Sequence, residues 1–108
     1  MEPKSSDSPR KPVAYLISLV EGFGDEANLK RFGQVAGPVI QKYGGRFLVS
    51  NTDLAVVEGE SSLRRPSMVE FPSMEQAKAW YQSLENSEAR VIAPLAFKGR
   101  LLVLVEGV

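Results

Sequence analysis

A chain of 108 residues with 44% hydrophobic content is one domain's worth of protein, able to bury a core without staples. It has no cysteine and no histidine, which excludes disulfides, thiol nucleophiles and the commonest ligands for zinc, haem or non-haem iron; no cofactor and no metal are expected. Its 13 basic and 13 acidic residues leave no positive footprint for nucleic acid, and its apolar runs are too short to span a membrane, so a cytoplasmic protein is expected.

Residues 1–12, MEPKSSDSPRKP, read as a polar tail ahead of a single domain over residues 13–108. Val13 to Glu21 reads as the first strand. Val13, Tyr15, Ile17 and Leu19 alternate with Ala14, Leu16, Ser18 and Val20, so both faces are largely apolar and both need cover. After a Gly22-Phe23-Gly24 turn, Asp25 suits the N-cap of a helix reaching about Tyr43. Its inward stripe is Leu29, Phe32, Val35, Ala36, Val39, Ile40 and Tyr43. Pro38 should bend this helix without ending it, because the stripe continues in phase beyond it.

The stretch from Tyr43 to Phe71 organises the rest. Gly44-Gly45 supplies a left-handed stop. Arg46 to Ser50 reads as the second strand and Leu54 to Glu58 as its continuation, with Asn51-Thr52-Asp53 as a turn or bulge between them. Gly59 to Pro66 turns the chain into a third strand, Ser67 to Phe71. Ser73, with Gln76 three residues on, opens a second helix whose inward side chains are Met74, Ala77, Trp80, Tyr81 and Leu84. Ser87 to Ile92 suggests a short extra helix ended by Pro94, and Gly99 leads into an apolar last strand, Arg100 to Val105.

This order, βαββαβ, predicts an α+β, ferredoxin-like domain: a four-stranded antiparallel sheet with the first and third strands central. Two main helices cover one face of such a sheet. The other face, also apolar, calls for a second copy packed sheet to sheet, a homodimer forming an α/β barrel. The alternative is that the segment around Val91 folds across the open face.

Several segments together resemble the family known as domain of unknown function 1330, within the dimeric α/β-barrel superfamily. They are YLISLVE (Tyr15 to Glu21), KYGGRFLV (Lys42 to Val49), VVEGE (Val56 to Glu60), RRPSMVEFPSMEQAKAWYQS (Arg64 to Ser83) and LLVLVEG (Leu101 to Gly107). The resemblance implies a ferredoxin-like fold in which two subunits close an antiparallel barrel. Superfamily relatives include cofactor-free monooxygenases of quinol-like aromatics, isomerases of the muconolactone type, haem-dependent members and stress-related proteins. Fold alone does not transfer any of these activities. This chain departs from the family pattern at Ser50-Asn51-Thr52-Asp53, where a glycine-rich bend is usual. It departs again after Tyr81, where a proline and a following tyrosine are missing.

The polar residues that could carry chemistry are Tyr15, Arg46, Asn51, Arg65 and Glu70. Glu70, between Val69 and Phe71, is a candidate base with Tyr15 as proton donor; Arg46, Asn51 and Arg65 are candidate binding groups for an anionic substrate. The competing structural readings are a cross-strand ion pair for Glu70, an interface aromatic for Tyr15 and a solvated turn for Arg64-Arg65. Trp80 reads as core. No phosphate loop or dinucleotide fingerprint is present. Two functions fit: a cofactor-independent enzyme acting on a small aromatic or acidic organic molecule, or a noncatalytic dimeric module binding a ligand or serving a structural or regulatory role.

Overall fold

The computed structural model describes residues 12–108, so the expected tail lies outside the described residues up to Lys11. The β-branched and apolar run of β1 (Ala14–Val20) forms a central strand and passes into a short strand, β2 (Gly22–Phe23). Asp25 then accepts a hydrogen bond from the Asn28 N–H at 3.2 Å and starts α1 (Glu26–Lys42). Pro38 lies inside α1, where burial of Ala36 and Ile40 on either side of it holds the helix together. Gly44 ends the helix with φ of 86°, a conformation that costs glycine nothing.

β3 (Arg46–Val49) and β4 (Arg64–Phe71) follow. Ser73 caps α2 (Met74–Gln82) by accepting from the Gln76 N–H at 3.1 Å. A 3-10 turn at Leu84–Asn86 leads into α3 (Ser87–Ala96), β5 (Phe97–Lys98) and β6 (Leu101–Glu106). The main sheet is antiparallel in the order β3-β4-β1-β6, which makes the first and third long strands central and the fold ferredoxin-like. β2 and β5 form a separate small pair.

Three local expectations are corrected. Leu54 to Glu58 is not a strand. Asn51 takes φ of 46° and Thr52 donates its N–H to the Pro66 carbonyl at 3.3 Å, so the chain leaves the ladder and runs irregularly to Leu63. β4 begins earlier than Ser67, at Arg64, through a bulge: the register steps from Ser18 opposite Ser67 to Val20 opposite Arg64. Arg65, at φ of 56°, and Pro66, which has no N–H to offer, occupy that bulge. The extra helix also does not stop at Pro94. Ile92, Ala93 and Ala96 are all buried, and their packing carries α3 through the proline.

All the α-helices described lie on one face of the sheet. Leu16, Val69 and Phe71 meet Ala36, Ile40, Ala77 and Trp80 there, with the Phe71 and Trp80 rings 5.4 Å apart. A second cluster joins Val20 to Ile92, Ala96 and Phe97, so α3 packs beside α1 and not across the open face. That open face presents Leu101, Val103 and Val105 from β6 and Leu48 from β3 to solvent.

Gly24 lies where the end of α3 crosses the β1–β2 segment, and its N–H donates to the Ala96 carbonyl at 2.8 Å. A Cβ there would be driven into the Leu95 carbonyl oxygen, whereas one at Gly22 meets nothing within 4 Å. Gly24→Ala is therefore expected to lose about 1–3 kcal/mol in urea unfolding, by overpacking against backbone. Gly22→Ala should stay within about 0.5 kcal/mol of the parent.

Candidate ligand site

The helix layer does not lie flat on the sheet. Two cavities open beneath it, one of about 440 Å³ between α1 and β1, β3 and β4, the other of about 480 Å³ between α2, α3 and β6. Both volumes are in the range of small-molecule pockets. In the first, Gly33 and Gly37 lie one turn apart on α1 and line the wall; a Cβ at either would meet nothing within 4 Å. Phe32, Trp80, Phe97 and Arg100 line both cavities and so form the partition between them.

Arg100 owes its place to the turn before it. Gly99 takes φ of 59° between β5 and β6, and the alternation along β6 then puts residue 100 in phase with half-buried Leu102 and Leu104, on the helix side. The guanidinium carbon sits 5.1 Å from the Phe32 ring centre and 4.9 Å from that of Phe97. Those two rings meet edge to face, with centroids 4.9 Å apart. Burial pulls the Arg100 pKa below its ordinary value, and nearby Tyr81 acts in the opposite direction. An arginine remains a cation at neutral pH even so. Its buried Nε makes no hydrogen bond, and among the described residues no carboxylate pairs with it. The Trp80 Nε1–H, on a side chain only 4% exposed, is likewise buried and unpaired.

A cation and an indole donor without partners, set among aromatic faces, suit an anion with a flat apolar body. None of the residues lining either cavity is a carboxylate, so the site offers positive charge and donors without an acidic base.

The residues singled out from the sequence fall in three places. Arg46, Glu70 and Tyr15 form one row across β3, β4 and β1: Arg46 is paired with Glu70, Glu70 with Tyr15, and the Arg46 guanidinium reaches the Glu70 carboxylate at 2.5 Å. Glu70 alternates with buried Val69 and Phe71, which puts the row on the open face, away from the cavities. Asn51 lines the cavity under α1, where its N–H donates to Ser67 Oγ at 2.9 Å. Arg65 lines neither cavity; it reaches Asp53 at 2.6 Å and ties the irregular segment to the β4 bulge.

The profile of the family described as domain of unknown function (DUF1330) matches residues 13–108. The chain belongs to that family. No curated protein matches it. Among solved structures, a protein of unknown function from Rhodopseudomonas palustris (RPA0582) is similar, with a TM-score of 0.70 at 16% identity over 92% of this chain and 85% of that one. A dimeric protein of unknown function and ferredoxin-like fold from Bacteroides fragilis aligns with a TM-score of 0.57 at 16% identity, over 91% and 99% of the two chains. A Caulobacter crescentus protein provisionally described as an antibiotic biosynthesis monooxygenase aligns at 0.58 with 11% identity, over 92% of both. At these identities the likeness establishes the fold.

Sequence reasoning passed over Arg100 in this DUF1330 member, taking it only as the start of an apolar strand. The available signal was its parity: a lone arginine in phase with Leu102 and Leu104, core-side positions of β6. An arginine retained there without a counter-charge works against stability. Arg100→Met, close in length and apolar, is expected to leave the urea midpoint unchanged or to raise stability by up to about 2 kcal/mol, the pattern of a site kept for binding. A loss of more than about 2 kcal/mol would instead make Arg100 a structural prop, acting through its stacking on Phe32 and Phe97.

Proposed function

We propose that this DUF1330 protein is a homodimer that binds a small aromatic or acidic organic molecule beneath its helix layer, without metal or cofactor. The observation that carries the reading is the Arg100 guanidinium, packed against both the Phe32 and Phe97 rings with no counter-ion among the described residues. A bound carboxylate, phenolate or enolate would supply that charge in a region of low dielectric, where the attraction is stronger than in water. The Caulobacter neighbour, described as a monooxygenase, is compatible with small-molecule chemistry on this fold.

Of the two functions considered, binding is the one the geometry supports better. The enzyme reading assigns Glu70 as base and Tyr15 as proton donor. Glu70 is paired with Arg46 on the sheet face opposite the cavities, and the cavity linings hold no carboxylate. If the bound molecule reacts, the contribution open to this site is electrostatic: Arg100 and the Trp80 N–H stabilising negative charge that grows on the ligand. A cytoplasmic location completes the proposal; no described helix is long and apolar enough to cross a membrane.

Dimerisation rests on the open sheet face and finds support in the dimeric Bacteroides neighbour. Ile17 and Val103 are paired across β1 and β6 in the middle of that face, beside Met68 of β4. A standard interface of roughly 1,600 Å² in total would be enough for a specific dimer. Ile17→Glu and Val103→Glu are each expected to give monomers in sedimentation velocity, whereas a folded, unchanged dimer in both would remove this face from the interface. For the ligand, titration calorimetry with a panel of small aromatic acids should show binding to the parent. Arg100→Gln should weaken it by about tenfold or more, the worth of one charge-assisted hydrogen bond.

A further inference from the structure

A further residue lining the cavity between α2, α3 and β6 carries a buried unpaired polar atom, of the opposite hydrogen-bonding sense. Asn86, in the 3-10 turn between α2 and α3, is 2% exposed. Its Nδ2–H donates to the Tyr81 carbonyl at 3.2 Å, and its backbone N–H is taken by Ser83. That contact fixes which way round the amide sits, because the reversed amide would set two carbonyl oxygens against each other. The free atom is therefore Oδ1, which is buried and accepts from nothing in the protein. An unpaired buried acceptor is costly, and a hydrogen-bond donor from outside the chain would relieve that cost.

The other buried side-chain atoms without a partner among the residues lining this cavity are donors, and the Tyr81 hydroxyl, able both to donate and to accept, also lines it. Arg100 Nε and Trp80 Nε1 are buried and unpaired, while Arg90 directs Nη1 to the Tyr81 and Ser83 carbonyls and lies over the Tyr81 ring at 5.6 Å. Among the described residues that line this cavity, the buried unpaired side-chain atoms are thus two donors, one of them on a cation, and one acceptor, with aromatic rings in the walls.

Building on the ligand-site reading above, we infer that this cavity selects a planar aromatic acid that also carries a hydrogen-bond donor, a hydroxyl or amino group. Arg100 and the Trp80 indole N–H take the acid group, and Asn86 Oδ1 takes the donor. A plain aromatic acid leaves Asn86 Oδ1 unsatisfied, and a neutral phenol leaves the Arg100 charge uncompensated.

Trp80 is the only tryptophan in the chain, so its indole N–H gives a single resonance in the nitrogen-15 spectrum of the full-length protein. Benzoate, the three hydroxybenzoate isomers, 4-hydroxybenzamide and phenol are titrated while that resonance is followed. The best hydroxybenzoate is expected to bind about tenfold tighter than benzoate, and 4-hydroxybenzamide and phenol at least about tenfold weaker than it. In Asn86→Leu the hydroxybenzoates should fall to the affinity of benzoate, with benzoate itself little changed. If that variant does not fold, the ranking on the parent protein decides alone. Equal affinity for benzoate and every hydroxybenzoate overturns the assignment of Asn86 and leaves the anion site standing. An indole resonance that none of the compounds moves overturns both.

Discussion

The sheet of this protein is covered by helices on one face only, although its strands are built to be covered on two. Leu16, Val69 and Phe71 point into the helix layer and are buried, while Ile17, Leu48, Val103 and Val105 point the other way and find nothing within the described residues to close over them. Apolar area on this scale is unfavourable in water and becomes favourable on association. Other features follow from this one-sidedness. The polar row of Arg46, Glu70 and Tyr15 crosses the open face and helps set its register, since a slip of one residue would turn Glu70 into the core and Val69 out of it. The long helix, the capped second helix and the proline-containing third helix must share the remaining face.

Three helices crowded onto four strands leave space between them, and the residues bordering that space are not those of an ordinary core. Gly33 and Gly37 strip α1 of side-chain volume along one cavity, at a cost of about 1 kcal/mol each relative to alanine in a helix. Arg100, Trp80 and Asn86 each bring a buried polar atom without a protein partner to the wall or partition of the other. A core selected for stability alone would replace these groups with apolar ones. Three of the four buried side-chain atoms without a protein partner among the described residues gather there, the fourth being Arg65 Nε at the β4 bulge, and this clustering is what the proposed site rests on.

The fold shared with the Rhodopseudomonas, Bacteroides and Caulobacter proteins extends over nearly the whole described domain, yet identities of 11–16% leave the side chains of the site free to differ. The chemistry of this chain has to be read from its own cavity linings. Those linings supply positive charge and donors under α3 and small residues under α1. The candidate acid–base pair of Glu70 and Tyr15 belongs instead to the surface proposed to meet a second copy.

Local signals in the sequence were enough to place most elements. Asp25 and Ser73 are helix caps because their side-chain oxygens reach free N–H groups three residues on, and Gly44 ends α1 because, without a Cβ, it takes a positive φ at no steric cost. The double-sided hydrophobicity of β1 and β6 disclosed an open sheet, and the order of elements disclosed its topology. Where the sequence misled, a long-range contact had overridden a local preference. Val56 and Val57 have strand propensity but no partner strand, and Pro94 stays helical because Ile92, Ala93 and Ala96 are held in the core around it. The site was the least legible part. Glu70 and Arg46 stood out by polarity and form a pair on the far face, whereas Arg100, Trp80 and Asn86 acquire meaning only when β6, α2 and the turn before α3 bring them to one cavity. An unpaired buried atom is a property of its surroundings, and only the tertiary structure defines those.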